Sequence, residues 1–101
     1  MYYTLKRVSD GAGDSGNMSD SYKTDPSLTP SQRVTHNAEP TVGESLMVGS
    51  YTARSYQMQD WWCTTPVTEI ISNLLLKDNH DEYRQVRFKT GNSEYEWTCV
   101  E

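Results

Sequence analysis

Two cysteines and two histidines bound what this chain of 101 residues could catalyse. A thiol nucleophile needs a base within hydrogen-bond reach, so the candidate pairs are Cys63 or Cys99 with His36 or His80. No local pattern ties any pair together. The simpler reading is one buried thiol and one beside the tryptophans. Asp78, His80, Asp81 and Glu82 crowd together as metal ligands do, but a hard-cation loop spaces its oxygens around a placed glycine. This run has no glycine and reads as a solvated turn. Asp10, Asp14 and Asp20 match no calcium-loop spacing. Gly11-Ala12-Gly13-Asp14-Ser15-Gly16 has the glycine density of a phosphate cradle, yet it lacks the Lys-Ser/Thr of a P-loop, and Asp10 and Asp14 would repel phosphate. No catalytic, metal or cofactor set emerges, so the expected function is binding rather than catalysis.

The residues best suited to binding lie in one short run. Tyr56, Asp60, Trp61 and Trp62 offer large amphipathic side chains and a carboxylate, and Tyr and Trp dominate the energetic centres of protein interfaces. The competing reading is that one or both tryptophans fill a small core. Neighbouring residues of a strand point to opposite faces, so one indole can serve the core while the other stays near the surface. Small barrels also stack bases on aromatics beside a basic groove. Tyr51, Tyr56, Trp61 and Trp62 could supply the rings, but Lys6, Arg7, Arg54, Arg84, Arg87 and Lys89 are countered by nearby acids. With a formal net charge of −5, a protein partner, favourably a basic one, is expected; a nucleic-acid-associated small barrel is the alternative and a virion structural component a third reading. Met1–Val8 has no apolar leader segment, and no apolar run approaches the roughly 18 residues that span a bilayer. The expectation is a cytoplasmic protein with free thiols and no membrane contact.

The elements that must position these residues are unevenly spread through a single domain. Tyr2–Val8 is rich in strand formers and stops at the turn signal Ser-Asp-Gly. Residues 9–44 are dense in Asp, Gly, Ser, Thr, Pro and Asn. Six acids (Asp10, Asp14, Asp20, Asp25, Glu39, Glu44) face only Lys23 and Arg33, and the larger apolar residues Met18, Tyr22, Leu28, Val34 and Val42 show no period. Such composition buries too little apolar surface to offset ordering entropy, so the segment is expected to be a flexible acidic insert, with residues 45–101 forming the main β core. A strand is expected from Ser45 to about Arg54, bent or bulged at Gly49.

Pro66–Leu76 supports two readings. Val67, Ile70, Ile71, Leu74 and Leu75 fit the i, i+3, i+4, i+7, i+8 helix pattern, with Pro66 suited to a first helical turn. The run of Thr, Val and Ile before Ser72 favours a strand, and strand-like neighbours tip the balance that way. The last segment is clearer. Two strand-like runs flank Gly91-Asn92, a two-residue hairpin turn. That turn sets Thr90 opposite Ser93, Lys89 opposite Glu94, Phe88 opposite Tyr95, Arg87 opposite Glu96 and Val86 opposite Trp97. One face is then apolar, with Cys99 extending it, and the other carries opposite charges in pairs. Together these predict a mostly β fold, a small curled antiparallel sheet or SH3-like partly open barrel with a long insert. A helix at 66–76 would make it α+β instead.

Three stretches within Val42–Trp97, a little over half the chain, carry a resemblance: Gly43 with Val48-Gly49-Ser50, Asp60-Trp61-Trp62-Cys63-Thr64-Thr65-Pro66-Val67-Thr68-Glu69-Ile70, and Phe88-Lys89-Thr90-Gly91-Asn92-Ser93-Glu94-Tyr95. In these the chain resembles small uncharacterised phage and prophage accessory proteins. The resemblance implies an inhibitor or adaptor of host or phage machinery, anti-defence proteins included, working in the host cytoplasm. It transfers no catalytic residue.

Overall fold

In the computed structural model, residues 1–50, 61–77 and 82–100 are described, and they form nine strands and one helical turn. The order is β1 (Tyr2–Arg7), β2 (Gly13–Gly16), β3 (Met18–Lys23), α1 (Pro30–Arg33), β4 (Val34–Thr35), β5 (Glu44–Gly49), β6 (Trp61–Cys63), β7 (Val67–Lys77), β8 (Glu82–Thr90) and β9 (Glu94–Val100). They build two antiparallel sheets, ordered β2-β1-β9-β8-β7 and β4-β3-β5-β6, and no closed barrel. The fold is thus mostly β, as the sequence leads one to expect.

The β8–β9 hairpin has the register its turn dictates. Val86 faces Trp97, Arg87 faces Glu96, Phe88 faces Tyr95 and Lys89 faces Glu94, and the Thr90 amide donates to the Ser93 carbonyl at 2.8 Å. Val86, Phe88, Tyr95 and Trp97 are buried on one face, with Cys99 packed against them. On the other face Arg87 Nη2 lies 3.1 Å from Glu96 Oε2. Tyr3 and Leu5 of β1 join this face, Trp97 stacking on Tyr3 at 5.9 Å and Phe88 on Tyr95 at 5.5 Å. Leu46 and Val48 of the smaller sheet close the core from the opposite side.

Val67–Lys77 is a strand, and the helical alternative is not realised. Its helix-like spacing has a physical source. The register against β8 slips by one residue between Val67 and Glu69 and again between Ile70 and Ser72. Each extra residue turns a two-residue step into a three-residue one. Val67, Ile70 and Asn73 therefore share a face, opposite the inward Thr90, Phe88 and Val86.

Residues 9–44 depart from the expected flexible insert. They supply β2, β3 and β4, and β3 lies inside the smaller sheet between β4 and β5. Met18, Ser19, Asp20 and Ser21 are all buried. Ser19 is polar because the core needs it. Its hydroxyl accepts from Trp97 Nε1 at 3.0 Å and donates to the Ala38 carbonyl at 2.8 Å, so both the indole N–H and the serine hydroxyl are paired. β5 ends at Gly49, and no bulge interrupts its pairing with β3 and β6 up to that residue. Glycine is needed instead at position 16, where a Cβ would collide with the Gly49 carbonyl. The part of the expected strand beyond Ser50 lies outside the described residues.

Candidate binding site around the paired tryptophans

β6 places the tryptophans. It pairs with β5 so that Met47 faces Cys63, Val48 faces Trp62 and Gly49 faces Trp61. Opposed residues project from the same side of a sheet. Trp62 therefore follows the buried Val48 inward, and Trp61 turns outward with Cys63. Trp62 is half-buried against the core; its Nε1 donates to the Tyr95 hydroxyl at 3.4 Å, and the Arg7 guanidinium carbon sits 5.2 Å from its ring centre. A cation over an indole face adds modest attraction. Trp62 is thus fixed into the fold at three points, while Trp61 is half-buried on the other side of the strand. Tyr56 and Asp60, the other two candidate contact residues, lie outside the described residues.

The outer side of the smaller sheet has a defined composition. The β3–β5 register sets Met18 beside Gly49, Asp20 beside Met47 and Tyr22 beside Ser45. Two rows result, Met18–Gly49–Trp61 and Asp20–Met47–Cys63. The middle position of the first row, Gly49, carries no side chain. Tyr22, Met47 and Trp61 are partly exposed and Cys63 is exposed. Trp and Met are adaptable contact residues. Asp20 is 2% exposed, and its Oδ1 lies 3.1 Å from His36 Nδ1. Burial pushes the Tyr22 phenol above its ordinary pKa, and the Asp20 and Cys63 charges add to the rise. The buried Asp20 was not legible as a site residue, since its flanking serines look like loop.

The other constellations are dispersed. Desolvation around its sulfur raises the Cys63 thiol, which donates to the Thr64 carbonyl at 3.6 Å. Both features favour the neutral thiol over a nucleophilic thiolate. His36 is engaged with Asp20; Asp78, His80 and Asp81 lie outside the described residues. Among the described residues no three His, Cys, Asp or Glu side chains converge as a metal-binding group. Asp10 is held by Arg7 through two bonds of 2.9 and 2.6 Å, and Asp14 caps the Ser15 amide. The glycine-rich run is the β1–β2 turn and β2 itself. Its amides at Gly11 and Ala12 are already bonded to the Arg7 carbonyl and the Asp10 carboxylate, which leaves these donors to the turn rather than to a phosphate.

One cleft escapes sequence reasoning altogether. About 300 Å³ opens where Tyr3, Trp97 and Cys99 meet Leu75, Arg84 and the Asn37–Glu39 segment. Asn37 has φ of 53° and accepts from the Tyr3 hydroxyl at 3.2 Å, while Glu39 pairs with Arg84 at 3.0 Å. These contacts bind residues 37–39 to the larger sheet. No helix among the described residues is long and apolar enough to cross a membrane. No family model, no curated protein and no solved structure matches the chain.

Proposed function

We infer that the chain is a small non-enzymatic binding module that occupies the surface of a protein partner, with Trp61 as its anchor. The observation that carries this reading is the division of labour at β6. Trp62 is committed to the core by a hydrogen bond and a cation contact, whereas Trp61, buried to a similar degree, stands on the opposite side of the strand, partly exposed beside Met47 and Cys63. A net charge of −5 suits a basic partner, since complementary charge speeds encounter and fixes orientation. The resemblance of Val42–Trp97 to phage and prophage accessory proteins supports an inhibitor or adaptor role in a host cytoplasm, and anti-defence activity falls within that role.

The test is a comparison of Trp61→Ala with the wild type. The variant should keep its circular dichroism spectrum and unfolding midpoint, and should bind the partner recovered from the native host at least ~10-fold more weakly, as loss of an interface hot spot does. Retention of full affinity by a folded Trp61→Ala protein would sink the reading. Binding of single-stranded DNA that weakens as salt rises would replace it with the nucleic-acid alternative.

A further inference from the structure

We propose that the C-terminal half of β7 is a self-complementary edge through which two copies of this chain pair strand to strand. An edge strand presents unpaired amides and carbonyls and is normally kept short or distorted. Three of the four sheet edges among the described residues obey this rule. β2 has four residues, β4 two and β6 three. The fourth edge, β7, runs for 11 residues.

The first half of β7 is guarded. The chain at Val42–Gly43 bridges Val67, and the two register slips distort the strand as far as Ser72. From Ser72 to Lys77 the strand runs regularly against Arg87 to Glu82. Nothing described pairs with its outer edge. This unguarded half is apolar: Leu74 is 48% exposed and Leu75 54%. Exposed leucines on a regular open edge are what edge protection ordinarily prevents.

The sequence there fits a second copy of itself. Two antiparallel copies related by a twofold axis must place one residue opposite its own counterpart. With Leu75 at the axis, Leu75 opposes Leu75, Leu74 opposes Leu76 twice over, and Asn73 opposes Lys77 at both ends. Leucine meets leucine at every central position, and the polar residues close the flanks. The outward row Tyr2–Val100–Tyr83–Leu76, defined by the registers of β1, β9, β8 and β7, would then continue into Leu74 of the second copy. Exposed apolar surface is concentrated here: three of the seven large apolar side chains exposed among the described residues, Ile71, Leu74 and Leu75, lie on this one strand.

The experiment uses the full chain. Analytical ultracentrifugation from micromolar to millimolar protein should show a reversible monomer–dimer equilibrium, and Leu75→Lys, at a site that is mostly solvent-exposed, should weaken it at least ~10-fold without changing the unfolding midpoint. Leu75→Cys then tests the register. Directly opposed Cα atoms sit ~4.5–5.5 Å apart, inside the ~4.4–6.8 Å disulfide window, so this variant should oxidise to a covalent dimer above the background set by the native cysteines. Leu74→Cys should not, because two copies of Leu74 would be about 8 Å apart. A wild type that stays monomeric throughout would overturn the proposal and leave the edge for a different chain. So would open-ended polymers, a dimer indifferent to Leu75→Lys, or preferential cross-linking at Leu74.

Discussion

Replacing Ser19 by alanine removes one oxygen from a site where it serves two partners. Ser19 is fully buried and Trp97 is 1% exposed. The Ser19 hydroxyl accepts from Trp97 Nε1 and donates to the Ala38 carbonyl. The substitution orphans a buried N–H and deprives a buried carbonyl of one bond, each costing about 1–3 kcal/mol. The second loss is the smaller, since a carbonyl has another lone pair, so the sum is about 2–4 kcal/mol. Little packing is lost to offset or enlarge this, because alanine retains the Cβ. For a domain near 100 residues, each kcal/mol lowers Tm by about 4–8 °C, so the midpoint should fall by ~8–32 °C. Urea titration followed by far-ultraviolet circular dichroism measures the difference without relying on indole fluorescence, which the change itself would perturb. Trp97→Phe is a necessary companion: with the indole N–H gone, Ser19→Ala should cost less than in the wild type, and the difference is the coupling energy of the pair. A Ser19→Ala cost below ~0.5 kcal/mol, the range of ordinary surface changes, would refute the claim that β3 is an integral strand whose serine completes the core.

Two further expectations concern titration. Arg7 holds the Asp10 carboxyl down to about 2 from its ordinary 3.8; a depressed folded-state pKa means the pair's contribution is complete above about pH 4 and is lost as pH falls toward 2. Asp10→Asn should flatten the pH dependence of stability in that window, and a carboxyl resonance titrating near 3.8 in the wild type would contradict the assignment. At Cys63 desolvation raises the thiol, so less thiolate forms at neutral pH; its alkylation at pH 7.5 should be slower than that of a free cysteine in a short peptide, and faster modification would show that the sulfur is more solvated than the structure has it.

How much of this was legible in the sequence depended on whether the deciding contact was local. The β8–β9 hairpin could be read in full, because a two-residue turn fixes the register and the register fixes both faces. Division of the two tryptophans was also legible in kind, since adjacent strand residues must diverge. Which of them goes inward was not, because that follows from the pairing of Trp62 with Val48, a partner 14 positions earlier in the chain. At β7 the sequence carried a helical period that was real but had another cause. Two bulges spaced three residues apart make Val67, Ile70 and Asn73 coplanar, and a period of three is hard to tell from 3.6 over so few residues.

Residues 9–44 are polar enough to look unstructured, yet they hold three strands. A segment this polar cannot bury enough apolar surface to order alone, and β3 does not order alone. It sits between β4 and β5, and its Ser19 and Ser21 face a core whose apolar bulk comes from elsewhere: Tyr3, Phe88, Trp97, Leu46 and Val48. Ser19 meets the demand of an indole N–H 78 positions away, and the Ser21 hydroxyl donates to Glu44 at 2.9 Å. The serines are inside because large neighbours leave small spaces and because those neighbours bring a donor (the Trp97 indole) and an acceptor (the Glu44 carboxylate) that need partners. Local composition records how much apolar surface a segment carries, whereas burial also depends on the surface and hydrogen-bonding groups the rest of the chain presents to it. For the same reason a strand as polar as β3 depends on tertiary contacts for its order, so loss of the Trp97–Ser19 bond should be felt across residues 9–44 before it is felt in the β8–β9 hairpin.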